Sequence, residues 1–230
     1  MQAERINQTV QPGNGTHCPV AGAGTCWVAL ADDTGSGILV VDMQGKFVYC
    51  NRVAADLLGS TPEHAVGKTF SDFFGADVAQ ERSGLLRRAA SSERPLVVDG
   101  LLRGQMTRST HRTCKVDSGA AVMMVITPGP GAAGPGIAAG VEHVRAKADD
   151  AGPLASLTGR EMEILRLIGQ GLSTAEIASE LHRSVKTIEW HRVSLGTKLK
   201  QSNRVGLARV AIRAGLTRLD AAADRACAEE

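Results

Sequence analysis

The fold of the C-terminal third of this chain is decided by residues 157–200, LTGREMEILRLIGQGLSTAEIASELHRSVKTIEWHRVSLGTKLK. Apolar residues recur in this stretch at the spacing of one helix face, in three successive runs. Each run follows a residue that is typical of a helix N-cap, namely Thr158, Ser173 and Ser184. Glu161 stands three residues after Thr158, which completes a capping box. The stretch therefore predicts three helices.

The connection between the second and third predicted helices is very short. Ser184, which caps the third helix, comes three positions after the last apolar residue of the second helix. Two helices joined so closely are typical of a helix-turn-helix unit. Asn203 can cap a fourth helix through Ala214, where Gly215 is placed to end it. We therefore expect an all-α, four-helix domain over residues 153–217.

The third predicted helix has two chemically different faces. Ile188, Leu195 and Leu199 share one side, which must face a core. The opposite side carries Lys186, Trp190, Val193 and Thr197. Exposed apolar side chains beside a lysine fit the major groove of DNA, where apolar groups contact thymine methyls and a lysine reaches phosphate or guanine. The alternative is that Trp190 packs on a neighbouring subunit or domain.

Positive charge is concentrated in the same part of the chain. The whole chain has a net charge of +2, whereas residues 153–219 hold eleven Lys and Arg against five Asp and Glu, a net of +6. Residues 1–152 have a net charge of −1 and residues 220–230 a net charge of −3. A module that binds a polyanion requires such a distribution.

Three groups of motifs in this region match a known family. They are Leu157-Thr158-Gly159-Arg160-Glu161 with Ile164-Leu165, Gly171-Leu172-Ser173 with Glu176-Ile177-Ala178, and Ser184-Val185-Lys186-Thr187-Ile188 with His191-Arg192 and Lys198-Leu199. Together they closely resemble the LuxR-type helix-turn-helix of the NarL/FixJ class. The resemblance implies a third helix that reads DNA and a fourth helix that commonly forms a dimer interface.

The resemblance also implies which residues contact DNA. Base contacts fall on Glu189, Trp190 and Val193, and backbone contacts fall on Lys186, Thr187 and Lys198. Many members carry a basic or polar residue where Glu189 and Val193 stand. A carboxylate is repelled by phosphate but can accept a hydrogen bond from the cytosine amino group. The operator sequence therefore cannot be inferred.

The first region of the chain alternates like a small antiparallel sheet with helices between its strands. The runs 37–42 and 46–50 flank the turn Gln44-Gly45, which predicts a hairpin. Asn51 can cap a helix that Gly59 ends, and a second helical stretch follows. That second stretch is Asp77 to Ala90, and three strand-like runs then close the region, namely Leu96 to Leu102, Met106 to Val116 and Ala120 to Thr127. The order predicts an α+β domain.

Local motifs of this region resemble those of a PAS domain over about residues 34–127. They are GILVVD (37–42), GKFVYCN (45–51), AA with LLG (54–59), VGKTF (66–70) and FF (73–74). All four phenylalanines fall between positions 47 and 74, where the core of such a domain needs bulk. The resemblance implies a sensor or dimerisation domain.

The remaining segments are connections and ends. Residues 1–33 are polar with scattered glycines, and we expect them to be flexible. Residues 128–152 form a Gly/Pro-rich linker that opens with PGPGAAGPG, which cannot hold a helix or a central strand. Within it, residues 137–147 could form a short helix, so the two domains could be coupled through that helix or joined by a tether alone. Residues 218–230 are an acidic tail.

The sequence leaves the cofactor of the PAS-like domain undetermined. A haem-binding member would be expected to carry a histidine on its long helix, and residues 77–90 contain none. The cysteine motif of flavin photoreceptors is absent as well. We expect His64 and His111 on the surface, while Cys50 and Cys114 could line a pocket, although a buried structural cysteine is commoner. A domain that binds no cofactor and serves for dimerisation fits equally well.

No metal site and no membrane segment are expected. The five cysteines show no CxxC spacing, and His17, Cys18 and Cys26 lack a fourth ligand. No apolar run approaches the ~18 residues of a membrane helix. The start of the chain lacks the apolar stretch of a signal peptide. These features predict a reduced cytoplasmic protein.

The sequence as a whole predicts a DNA-binding transcription regulator and not an enzyme. In this hypothesis a PAS-like domain, responding to a small-molecule or protein signal, controls a LuxR-type output that binds double-stranded DNA as a homodimer. A receiver domain is not expected, because Asp42 ends a strand that turns directly into a hairpin. A PAS-linked kinase would need a phosphoacceptor-histidine helix and a nucleotide-binding domain. The alternative is a protein-interaction regulator whose helix-turn-helix does not bind DNA, which Glu189 and the acidic tail favour.

Overall fold

The computed structural model describes residues 33–92, 94–116, 119–129 and 140–217. The acidic tail 218–230 and nearly all of the segment 1–33, with His17, Cys18 and Cys26, lie outside these ranges. No helix within the described ranges has the length and apolar character that a membrane crossing requires.

A six-stranded sheet organises the N-terminal part of the described chain. Its strands are β1 (Gly37–Asp42), β2 (Phe47–Cys50), β3 (Leu96–Leu102), β4 (Gln105–Val116), β5 (Gly119–Pro128) and β6 (Glu142–Arg145). Their order across the sheet is β2-β1-β5-β4-β3-β6. The first five strands pair antiparallel, as the sequence predicted. The sixth strand pairs parallel to β3, so the sheet is mixed and not purely antiparallel.

Three α-helices and a short 3-10 turn lie between β2 and β3. They are α1 (Arg52–Leu58), α2 (Pro62–Ala65), the 3-10 turn (Phe70–Asp72) and α3 (Ala76–Ala90). Asn51 caps α1, as predicted, and its side-chain oxygen accepts both from Ala54 N at 3.0 Å and from Ile38 N at 2.8 Å. One residue therefore fixes the start of α1 against β1. The helices cover one face of the sheet and bury an apolar core that includes Phe47 and Leu96.

Residues 142–145 form a strand where the sequence allowed a short helix over residues 137–147, of which 137–139 lie outside the described ranges. The strand pairs in register with β3, with Val144 opposite Val98. The possible helix does not form over these residues because the free edge of β3 offers unpaired backbone groups, which local propensity does not register. Gly140, at φ 95°, also turns the backbone out of the helical region. The second half of the linker is thus part of the sheet.

The C-terminal part of the chain contains four α-helices after a 3-10 turn at Gly152–Ser156. The helices are α4 (Gly159–Gly169), α5 (Thr174–Glu180), α6 (Val185–Leu199) and α7 (Arg204–Arg213). Each begins after the predicted cap, because the side chains of Thr158, Ser173, Ser184 and Asn203 all accept a backbone N–H of the first turn. Their apolar faces enclose a separate core that includes Ile164, Ile188 and Leu195. The predicted four-helix domain is confirmed.

The two parts of the chain meet at the turn between β3 and β4. The amide of Gly104 donates to the carbonyl of Asp150 at 2.8 Å. A Cβ on Gly104 would lie 2.7 Å from the carbonyl oxygen of Ala151, and one on Gly152 would lie 2.5 Å from the carbonyl carbon of Arg103. Only hydrogen fits at both glycines. The chain that enters the helical domain therefore lies directly against this turn.

Candidate nucleic-acid interface

Helix α6 presents one buried face and one exposed face, as its sequence predicted. Ile188 and Leu195 are 1% and 0% exposed, whereas Trp190 and Val193 are 68% and 65% exposed. Burying apolar side chains is the main driving force of folding, so an open tryptophan and valine on a rigid helix mark a surface built for contact. The ring of Trp190 lies at 73° to the ring of the neighbouring His191, with 5.2 Å between the centroids.

Lys186 and Thr187 lie at the start of this exposed face. Lys186 is exposed and Thr187 is half-buried. The hydroxyl groups of Ser184 and Thr187 are 2.8 Å apart, and the Thr187 amide donates to the Ser184 hydroxyl at 3.1 Å. The N-terminal turn of α6 is therefore held firmly, which fixes the direction in which the Lys186 side chain leaves the helix.

Glu189 is tied to its own helix. Its Oε2 accepts from Nε and Nη2 of Arg192, at 3.1 and 2.7 Å. Hydrogen bonds from Arg192 and from the Thr174 side chain hold the pKa of Glu189 below its usual range. The carboxylate is thus ionised and held in one direction, and the positive charge of Arg192 offsets part of its negative charge. This offset reduces the repulsion that a phosphate backbone would exert on the carboxylate.

Lys198, a predicted backbone contact, lies on the inner flank of α6 and pairs with Glu161. Its Nζ is 2.6 Å from Oε2 of that residue, whose side chain is only 4% exposed. Glu161 also accepts from Ser194 Oγ at 2.7 Å and from Thr158 N at 2.8 Å. Hydrogen bonds from Lys198, Thr158 and Ser194 lower the pKa of Glu161 to about 2. The structure therefore gives Lys198 a role in holding α6 on α4.

Two clefts flank the exposed face of α6. One, of about 510 Å³, lies beside the end of the helix and is lined by residues that include Arg192, Lys200 and Asn203. The other, of about 470 Å³, is lined by Arg160, Leu181, Arg183, Thr187 and His191. Each cleft contains an exposed basic residue, Lys200 or Arg183, that forms no ion pair with the described residues. Such clefts suit the two phosphate strands that border a groove.

The sequence reasoning missed Arg160, Arg183 and Lys200. Arg183 stands in the turn directly before α6, and Lys200 is the left-handed residue that ends α6, at φ 54°. Because these two basic residues stand at the two ends of the predicted third helix, the sequence could have indicated both of them. The guanidinium of Arg160 is less available to a phosphate than the other two cations, because it pairs with Glu163 at 2.6 Å and donates to the carbonyl of Leu181 at 3.2 Å.

The interior of the PAS-like domain contains a polar cluster that the sequence reasoning placed on the surface. His111 is 1% exposed, not a surface residue, whereas His64 is exposed as expected. Ser109 Oγ donates to the carbonyl of Val98 at 3.3 Å and therefore accepts from Nε2–H of His111 at 2.9 Å. Burial, helped by the charge of Arg82, lowers the pKa of His111 to about 4, so the ring is neutral at pH 7. Its Nδ1 has no partner.

The described residues offer no evident metal site. No group of three His, Cys, Asp or Glu side chains lies close enough to hold an ion in the part of the chain that the structure describes. Cys50 is 1% exposed, and burial raises its pKa to about 12, so its thiol is protonated and packs as an apolar group.

Two curated relatives each match little more than a quarter of this chain. The response regulatory protein YgeK of Escherichia coli, described as uncharacterized, is 43% identical over 60 residues, which are 26% of this chain and 41% of that protein. The transcriptional regulatory protein LiaR of Bacillus subtilis is 39% identical over 64 residues, which are 28% of this chain and 30% of that protein. This chain therefore spans less than half the length of the curated relatives it matches.

Solved structures and family models extend over more of the chain. VqmA of Vibrio cholerae, solved with ligand and DNA, aligns with 83% of this chain and 88% of its own, at 18% identity and a TM-score of 0.42. Residues 31–114 match the model of the PAS fold, and residues 155–211 match the model of bacterial regulatory proteins of the luxR family. The chain therefore combines an N-terminal PAS fold with a C-terminal helix-turn-helix domain of the luxR family of bacterial regulatory proteins.

Proposed function

We propose that this protein is a DNA-binding transcription regulator in which the PAS domain controls the luxR-type output. The observation that carries the proposal is the exposed face of α6, where Trp190 and Val193 stand open beside Lys186. The luxR-family match and the net charge of +6 over residues 153–219 support it. A protein that regulates transcription acts where the chromosome is, so we place it in the cytoplasm.

In this proposal α6 enters the major groove. Trp190 and Val193 contact base edges and thymine methyls, and the fixed carboxylate of Glu189 accepts from a cytosine amino group. Lys186 and Thr187 bind the phosphate backbone, together with Arg183 and Lys200 in the flanking clefts. Lys198 contributes by holding α6 in place, and its ammonium can reach phosphate only at the expense of the Glu161 pair.

We further propose that the protein binds DNA as a homodimer. Val205 on α7 is 69% exposed, and an open valine on the fourth helix suits the interface that luxR-type domains commonly form there. Two recognition helices would then lie on half-sites about one helical turn apart. The PAS domain would add a small-molecule or protein signal to this arrangement.

Salt dependence of DNA binding tests the proposal. Mixed-sequence duplex DNA should bind the full chain with an affinity that falls steeply with salt, because phosphate contacts release counterions. Lys186→Ala should weaken binding to all sequences and reduce the slope by about one, whereas Trp190→Ala should change sequence preference. Lys46→Ala, in the exposed hairpin turn of the PAS domain, is the charge-matched control.

Two results would overturn the proposal in different ways. If the full chain binds no DNA even at about 50 mM salt, the protein is an interaction regulator and not a DNA-binding one. If it binds DNA but Lys186→Ala and Trp190→Ala behave as the Lys46→Ala control, DNA binding stands and the proposed contact face is wrong.

A further inference from the structure

A carboxylate on helix α3 holds the segment that leads into the DNA-binding domain through two hydrogen bonds. Both carboxylate oxygens of Glu81 accept consecutive backbone amides of that segment, from Lys147 at 2.7 Å and from Ala148 at 2.6 Å. These two amides follow β6, where the parallel pairing with β3 has ended. A charged acceptor makes each of these hydrogen bonds stronger than a neutral one would be. Glu81 therefore continues the attachment of the linker beyond the sheet.

The next two residues of the segment are fastened to the turn between β3 and β4. Asp149 Oδ1 accepts the amide of Leu101 at 2.7 Å. Asp150 Oδ2 accepts the amide of Arg103 at 3.0 Å, and its carbonyl accepts the amide of Gly104 at 2.8 Å. The linker is thus held on one side by backbone amides of residues 101–104 and on the other side by the Glu81 carboxylate of α3.

Arg82, the neighbour of Glu81, connects the same helix to the interior of the PAS domain. Its side chain is 4% exposed, its Nε has no partner, and its Nη2 donates to the carbonyl of Leu101 at 3.5 Å. Its charge acts on Asp149 and Asp150 on the linker side and on His111 on the interior side. A buried guanidinium with an unmade hydrogen bond is costly, which makes its position sensitive to any group placed beside it.

The helical domain begins immediately after this segment. Leu154, in the 3-10 turn that follows, is 5% exposed and belongs to the core of the DNA-binding domain. Two residues earlier, Gly152 lies against Arg103 so closely that no side chain fits. A displacement of residues 147–150 would therefore move the DNA-binding domain, because no free length of chain separates them.

We propose that Glu81 and Arg82 form a latch through which the position of α3 sets the position of the DNA-binding domain. This inference rests on the proposed control of DNA binding by the PAS domain. Glu81 holds the linker, while Arg82 ties α3 to β3, because its Nη2 donates to the carbonyl of Leu101 and would lie 2.8 Å from a Cβ on Gly100. A signal that shifts α3 away from the sheet breaks the two Glu81 bonds and releases the domain. The structure has the held arrangement and the signal would produce the released one, so the latch would act as a two-state switching element.

The first test is amide exchange at the latch itself. Glu81→Gln keeps the size of the side chain but leaves one of the two amides facing an NH2 group. Exchange of the Lys147 and Ala148 amides, followed residue by residue by NMR on the full chain, should accelerate about tenfold or more. The control Glu63→Gln removes an exposed carboxylate from α2 and should leave both amides unchanged. Wild-type exchange rates in Glu81→Gln would overturn the latch.

The second test asks whether the latch reaches the DNA-binding domain. Gly152→Ala loosens the far end of the latch without touching α3, because its Cβ cannot fit against Arg103. Glu81→Gln and Gly152→Ala should each change the affinity of the full chain for DNA about fivefold or more, and in the same direction. The double variant should change it no further than one of them does, because both release the same element.

Additive effects, or affinities equal to that of the wild type, would show that the segment is a structural attachment only and would overturn the coupling. If the wild-type protein itself binds no DNA, the proposed function fails. The exchange rates of Lys147 and Ala148 then still decide whether the latch exists.

Discussion

The ammonium of Lys198 lies 2.6 Å from the Glu161 carboxylate, although the two residues are 37 positions apart. Glu161 is the acid of the capping box that starts α4, and its oxygens also accept from Thr158 and Ser194. One buried carboxylate therefore caps α4 and attaches α6 to it. This relationship explains how α6 can leave its outer face open while its position stays fixed.

Replacing Lys198 by methionine should destabilise the helical domain by about 1–3 kcal/mol, because Glu161 then stays buried without its charged partner. The measurement is hydrogen exchange of core amides such as that of Leu195, followed in the full chain. Arg213→Met, which removes an exposed cation at the end of α7, is the control and should change little. A Lys198→Met protein that is as stable as the wild type, but loses one phosphate's share of the salt dependence, would instead make Lys198 a DNA contact.

The helical domain should also lose stability in acid through Glu161. The pKa of its carboxyl is about 2 in the folded chain, against an ordinary value of 4.5, so the unfolded chain binds the proton first as pH falls. The contribution is complete above pH 4.5 and is lost progressively as pH falls towards 2. Comparing the wild type with Glu161→Gln over this range tests the assignment, because the variant should lack this part of the pH dependence.

The helical domain could be predicted from the sequence because its signals are local. Thr158 and Ser184 each cap the helix that directly follows them, Ile188 and Leu195 are two turns apart on one helix, and all four behaved as predicted. Strand β6 could not be predicted, because it exists only where β3 leaves an edge free, 46 residues earlier in the chain.

The error at His111 has a related cause. Thr107, Ser109 and His111 alternate along β4, and an alternating polar row normally faces water. In this sheet the row faces inward beneath α3, where Thr107 and Ser109 are satisfied by the carbonyls of Gly100 and Val98. Only the register with β3 reveals which side of β4 is covered, and register is a long-range property.

The buried His111 should make the PAS domain less stable in mild acid. The pKa of its ring is about 4 in the folded chain, against an ordinary value of 6.5, so between these values the unfolded chain binds more protons than the folded chain. Stability should therefore fall as pH decreases from 6.5 to 4, by up to about 1.4 kcal/mol per pH unit. Chemical denaturation of His111→Gln should show a flatter dependence in this window. If the stability of His111→Gln falls with decreasing pH as steeply as that of the wild type, the pH dependence does not come from His111.

Cys50 should resist alkylation in the folded protein. Its side chain is 1% exposed and its pKa is raised to about 12, whereas the thiolate is the form that reacts. Iodoacetamide at pH 8 should leave the Cys50 peptide unmodified in mass spectra of the native protein and modify it fully in urea. Rapid native labelling would mean that β2, at the edge of the sheet, opens far more often than its burial suggests.

The pair of Glu189 and Arg192 should control which DNA sequence the protein prefers. Arg192 holds the Glu189 carboxylate through Nε and Nη2, and both residues are only partly buried, so the pair contributes little to stability. Arg192→Met should release the carboxylate, weaken binding to all DNA through the unshielded charge, and relax any preference for cytosine at the contacted position. Glu189→Gln should strengthen DNA binding, because it removes a negative charge and makes the Arg192 guanidinium available to a phosphate. Selection from a randomised duplex library measures both effects, with thermal unfolding as the check that the helices remain intact. If the two variants select the same sequences as the wild type, Glu189 reads no base and the direct contacts belong to Trp190 and Val193 alone.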